Sequence, residues 1–133
     1  MSNSKLPTDV RTALPSRGQP GRPYDIRERT FEFALRILRV SGSVPATLEG
    51  NEVRRQLARA AMSIGANVEE ADGAVSKADK RKSLVIARKE AREVRYWLRL
   101  IERQCPDRPY VSRDIREAQE ILSILSAIVA KLA

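Results

Sequence analysis

The chain has 133 residues and a net charge of +8, with 42% hydrophobic residues, 32% charged residues, one cysteine and no histidine. That much apolar material is enough for one packed core and too much for a disordered chain. The lack of histidine removes the commonest general base and the commonest metal ligand, and Cys105 alone can form neither an internal disulfide nor a zinc site.

Residues 1–23 hold Pro7, Pro15, Pro20 and Pro23 with Gly18 and Gly21, and carry Lys5, Arg11, Arg17 and Arg22 against Asp9. This composition predicts a disordered basic arm preceding a folded domain over 24–133. No run of 18 apolar residues exists for a membrane span, and the opening MSNSKLPTDVRT lacks the apolar stretch of a secretory signal, so a cytoplasmic protein with no membrane partner is expected.

From Asp25 onward the pattern is helical. A first helix is predicted over 25–40, with Phe31, Ala34, Leu35 and Leu38 on one face, ending before Ser41-Gly42. A second runs over 51–71, where Val53, Leu57, Ala60, Ile64, Val68 and Ala71 form one stripe. Its middle is rich in small residues, and Gly65 there costs about 1 kcal/mol relative to alanine, which predicts a close helix approach within the subunit or across an oligomer contact. The third helix is predicted over 76–103, opening on a cap at Ser76, with Leu84, Ala87, Ala91, Val94, Leu98 and Ile101 stepping by 3, 4, 3, 4 and 3. The fourth opens at Ser112 as N-cap and puts Ile115, Ala118, Leu122, Leu125, Val129 and Leu132 on its packed face, widened by Ile121, Ile124 and Ile128. Four amphipathic helices with short connections predict an all-α, up-down-up-down antiparallel four-helix bundle. Its wide fourth face and small-residue second helix predict self-association.

Charge is concentrated. Residues 73–103 hold ten cations against four carboxylates, a local +6 of the total +8. Within them Arg88, Arg92, Arg95 and Arg99 step by 4, 3 and 4, each one residue after a core position, and Lys80, Arg81 and Lys82 add charge near the start of the helix. Two readings stay open: a guanidinium track for nucleic-acid phosphates, or interhelical ion pairs to Glu69, Glu70, Glu117 and Glu120. Tyr96 and Trp97 sit beside the row in sequence, where they either stack on bases or pack against the seam. There is no phosphate-cradling glycine loop, nucleophile elbow or Cys/His set, so no catalytic residue, metal site or cofactor is expected.

The segments Gly50-Asn51-Glu52, Ser63-Ile64-Gly65-Ala66-Asn67-Val68-Glu69-Glu70-Ala71, Lys89-Glu90-Ala91 and Tyr96-Trp97-Leu98 resemble the bacterial four-helix bundle family first noted in intervening sequences of 23S rRNA genes. The opening Tyr24-Asp25-Ile26-Arg27-Glu28-Arg29-Thr30-Phe31 is similar to that family's start, and the resemblance covers about residues 24–132. It implies a four-helix bundle, commonly a ring-like homopentamer; apart from the resemblance, Gly65, Asn67 and Trp97 are expected as helix-packing or oligomer positions. It also implies kinship with the basic accessory protein that works with reverse transcriptase in diversity-generating retroelements, which would make a reverse transcriptase a protein partner, and it implies no enzymatic activity. At Lys80, Arg81 and Arg88 the family more usually has apolar side chains, so this chain is more basic at the start of its third helix. The function expected is a non-enzymatic oligomer that binds RNA or DNA through the third helix, at Lys80, Arg81, Lys82, Arg88, Arg92, Arg95 and Arg99. The alternative is a structural or adaptor homo-oligomer whose basic residues serve solubility and ion pairing.

Overall fold

The computed structural model describes residues 25–133, so the predicted arm over 1–23 lies outside the described residues. Four helices follow: α1 (Ile26–Gly42), α2 (Leu48–Gly73), α3 (Lys77–Gln104) and α4 (Tyr110–Lys131), with no strand among the described residues. They form a four-helix bundle in which each helix packs chiefly on its neighbours in sequence and α1 closes more lightly on α4.

Three of the four helix starts are set by local polar chemistry. The Asp25 carboxylate accepts from the N–H groups of Arg27 and Glu28 at 3.1 and 3.4 Å. Thr47 Oγ1 accepts from Gly50 N at 3.0 Å, and Ser76 Oγ accepts from Asp79 N at 3.0 Å, as its sequence position predicts. The fourth start differs from expectation. Helix α4 begins at Tyr110 behind Pro109, with no side-chain cap, and Ser112 lies inside its first turn, donating instead to Glu102 Oε2 at 2.7 Å. Proline pre-sets the helical φ at this end, so a serine cap is not needed.

The core is a single cluster. Ile37, Leu57, Ile64, Leu98, Ile121 and Leu125 are its largest fully buried members, each stabilising by about 1.5–3 kcal/mol relative to exposure. The α2 stripe is buried from Leu57 to Ala71, with Val53 half-buried, and all six predicted positions of α3 are buried. On α4 the fully buried line is Val111, Asp114, Ala118, Ile121, Leu125 and Val129, while Ile115, Leu122, Ile128 and Leu132 pack beside it, half-buried.

Helix α1 turns the other way from the sequence reading. Its buried line is Thr30, Phe33, Ile37 and Val40, whereas Phe31 and Leu35 are 56% and 39% exposed and Leu38 is 38% exposed. The helix carries two apolar lines side by side and can bury only one. The buried one includes a polar residue because Thr30 Oγ1 donates back to Ile26 O at 2.8 Å, so its hydroxyl needs no water.

The glycine that the backbone requires is Gly50, not Gly65. A Cβ on Gly50 would lie 2.0 Å from the Pro45 carbonyl oxygen, whereas one on Gly65 would meet Thr30 backbone and side-chain atoms at 3.7–3.9 Å, ordinary contact distances. Gly65 therefore sits next to α1 with room for a methyl group. Gly65→Ala should raise stability by about 0.5–1 kcal/mol through helix propensity, and Gly50→Ala should lower it by about 1–3 kcal/mol through forced backbone movement. Urea unfolding of the two variants checks both signs, and equal effects would contradict this assignment.

Candidate nucleic-acid interface

Helix α3 presents three faces. The first is the buried line already described. The second is the arginine row, which flanks the buried line on the side toward α4: Arg95 and Arg99 line a groove there with Glu102, and α4 supplies Ser112, Ile115, Arg116 and Gln119. The third faces outward and toward α2, and holds Glu90, Glu93 and Trp97 at its inner edge.

What frees the arginine row is the disposition of the carboxylates. On α4, Asp114, Glu117 and Glu120 all turn to α1. Arg29 of α1, with its side chain 5% exposed, donates through Nε and Nη2 to the two oxygens of Glu117 at 2.7 and 2.8 Å and through Nη2 to Glu120 at 2.6 Å. Arg36 pairs with the buried Asp114. The hydrogen bonds that Arg29 donates to Glu117 are the main reason that its guanidinium is held above its ordinary pKa, against the pull of burial and with Glu120 assisting. Burial pushes the Asp114 carboxyl up, and Arg36 opposes it.

Glu69 and Asp72 of α2 and the carboxylates at the inner edge of α3 are also engaged. Glu69 and Asp72 sit 3.5 Å from Arg27, and Glu90 and Glu93 pair with Arg59. Ion pairing to Glu69, Glu117 and Glu120, one of the two readings of the row, is thus supplied by α1 arginines instead. Among the described residues, Arg88, Arg92, Arg95 and Arg99 make no ion pair, and Glu70 pairs with none of them. The reason is angular. The acids of α4 lie on its α1 flank, whereas its groove flank is the line Ser112, Arg116, Gln119, Ser123 and Ser126, stepping by 4, 3, 4 and 3 and containing no carboxylate.

The groove therefore brings together three guanidinium groups, Arg95 and Arg99 of α3 and Arg116 across from them, against Glu102, whose carboxylate already accepts from Ser112, and Arg92 and Arg88 continue the α3 row beyond it by spacing. The α3 row spans about 16 Å at ~1.5 Å per residue. Arg92 and Arg99 are exposed, while Arg88 and Arg95 are half-buried, with the Arg88 Nε enclosed and without a hydrogen-bond partner. Planar, permanently charged donors in a groove with hydroxyl and amide neighbours suit a chain of phosphates.

The remaining sequence-predicted residues divide. Arg81 continues the row by spacing and is exposed. Lys80 is turned away from it and donates through Nζ to the Ala71 carbonyl at 3.0 Å, closing the C-terminal end of α2. Lys82 is exposed on the outward face instead. Trp97 is half-buried against the core, donates through Nε1 to Glu93 at 3.3 Å and meets the edge of Tyr96 with ring centroids 5.2 Å apart, so it packs toward α2 and does not flank the groove. Asn67 bonds within its own helix, to Ser63 O at 2.9 Å and Ser63 Oγ at 3.1 Å. Arg116 is the residue that sequence reasoning missed. The available signal was the acid-free polar line of α4 on which it lies.

Among the described residues no cluster of three or more potential metal ligands occurs, and no helix is long and apolar enough to cross a membrane. A family model described as 23S rRNA-intervening sequence protein matches residues 22–129. A crystal structure of a protein of unknown function from the S23 ribosomal protein family, from Bacteroides thetaiotaomicron VPI-5482, is similar with 33% sequence identity and a TM-score of 0.72, covering 79% of this chain and 95% of that one. No curated protein matches.

Proposed function

The chain belongs to the 23S rRNA-intervening sequence protein family, and on that premise we propose that it is a cytoplasmic, non-enzymatic bundle that binds RNA or DNA through the α3–α4 arginine groove. The observation that carries the reading is the unpaired row, Arg88, Arg92, Arg95 and Arg99, of which Arg95 and Arg99 face Arg116 across the groove, while Asp114, Glu117 and Glu120 of α4 and Glu90 and Glu93 of α3 pair with other arginines. It assembles as a homopentamer and acts as an accessory to a nucleic-acid process such as reverse transcription. Binding is to the sugar-phosphate backbone, with little sequence preference, because the groove offers guanidinium groups and few groups suited to reading base edges.

A salt titration tests this directly. Fluorescence anisotropy with mixed-sequence RNA and DNA should show log K falling by about 3 to 4 for each tenfold rise in salt, the slope for four or five neutralised phosphates per subunit. A flat salt dependence, or no binding at low salt, would reject the reading. The second reading, an adaptor oligomer with no nucleic-acid role, draws on the exposed apolar line of α1 and is the outcome if the protein self-associates yet ignores both polymers.

A further inference from the structure

Tyr96 of α3 is 54% exposed and stands beside the arginine row. Arg92 precedes it by four residues and Arg99 follows it by three, so one helical turn separates the ring from a guanidinium on either side. Both arginines are exposed and make no ion pair among the described residues. By helical spacing, Tyr96 lies on the side of this pair away from Arg95, which lines the α3–α4 groove. Leu100, four residues further on and 41% exposed, extends the ring into a small apolar shelf along the outer edge of the row.

The ring is held in place from its other side. Its centroid lies 5.2 Å from that of Trp97 at an interplanar angle of 72°. Trp97 is packed against the core and donates through Nε1 to Glu93 at 3.3 Å, and Glu93 in turn pairs with Arg59 of α2. An edge-to-face contact of this kind occupies at most one face of the tyrosine. Tyr96 therefore offers an open aromatic face, fixed before any ligand arrives, between two unpaired cations. Fixing the ring in advance removes part of the ordering cost of binding.

We infer that Tyr96 is a stacking platform for an unpaired base whose flanking phosphates lie on Arg92 and Arg99, which, resting on the nucleic-acid reading of the row, makes the ligand a single strand. In a duplex the faces of the bases are covered by their neighbours and only the phosphates point outward. A guanidinium row alone serves either form, whereas an aromatic face beside the row serves only a strand whose bases can turn out of the stack. Arg92 and Arg99 lie about 10 Å apart along the helix at ~1.5 Å per residue, which leaves room for a nucleotide between them. Stacking is tolerant of sequence because every base has a π face, in keeping with a site that has few groups to read base edges. Bases and phosphates are common to RNA and DNA, so the two polymers form separate arms of the test.

Anisotropy titrations with a short mixed-sequence single strand, as RNA and as DNA, and with the duplex of the same sequence decide the matter. Tyr96→Ala should weaken binding of single strands about 10-fold. It should leave duplex binding and the salt slope unchanged, because no phosphate contact is lost. Tyr96→Phe keeps the ring and should bind as wild type. A loss on RNA alone or on DNA alone names that polymer as the ligand, and a loss on both makes the platform indifferent to the sugar. Trp97, the chain's single tryptophan, reports the same event, since its emission should change on adding a single strand and not on adding duplex. If Tyr96→Ala fails to fold by circular dichroism, Tyr96→Leu keeps apolar bulk without a π face and should show the same selective loss. Wild-type affinity of the folded variant for both single strands, or an equal loss on single strand and duplex, overturns the platform and leaves the salt titration standing. A wild-type protein that binds neither polymer at low salt overturns the row and the platform together.

Discussion

Replacing Arg92, Arg95 and Arg99 together with glutamine should lower affinity for RNA and DNA about 100-fold near 0.15 M salt and cut the salt slope by about 2 to 3, since each lost phosphate contact removes its share of counterion release. Stability should not change, because none of the three makes an ion pair among the described residues and glutamine keeps a long, helix-compatible side chain. Arg88 is left in place because its Nε is enclosed, so its removal would mix packing with binding. Anisotropy titrations at several salt concentrations, with urea unfolding in parallel, separate the two possible roles of the row. A folded variant that binds at wild-type affinity with an unchanged slope would exclude the groove as the binding surface. A destabilised variant with intact binding would return the arginines to a structural role. Arg116→Gln alone should show a smaller loss of the same kind, since it removes one wall of the groove and leaves the row.

The largest stability effect is expected at Arg29→Ala. The Arg29 side chain is 5% exposed and serves both Glu117 and Glu120, whose side chains are 28% and 58% exposed. Removing one member of a buried ion pair typically costs about 3–5 kcal/mol, and the access of both glutamates to water reduces this to about 2–4 kcal/mol here. That is a large part of the total stability of a domain this size, so the urea midpoint should fall sharply. The double variant Arg29→Met, Glu117→Leu should recover much of the loss, because an apolar pair removes the desolvation cost along with the charge. A loss below about 1 kcal/mol for Arg29→Ala would place the pair with ordinary surface salt bridges. Nucleic-acid affinity of the folded fraction should be unaffected, since Arg29 lies on the α1 side of α4 and the groove on the other.

Four helices, the Ser76 cap, the buried lines of α2 and α3 and the 4, 3, 4 arginine row are legible in the amino-acid sequence because each is a property of one helix. A period of 3.6 residues sorts side chains onto faces whatever the neighbours do. The tertiary structure decided what periodicity leaves open, namely which face meets which neighbour. Helix α1 has two apolar lines of nearly equal quality, and packing buried the one through Phe33 and Ile37, leaving Phe31, Leu35 and Leu38 outside. The row on α3 has the same spacing whether or not acids oppose it. Its freedom follows from the rotation of α4, which turns Asp114, Glu117 and Glu120 to α1 and brings Arg116 to the groove. Lys80, which adds a second hydrogen bond to the Ala71 carbonyl at the α2 end, and Gly50, pressed on the Pro45 carbonyl, are settled in the same way. Each depends on a distance between segments, and a helical period carries no information about the distance to the next helix.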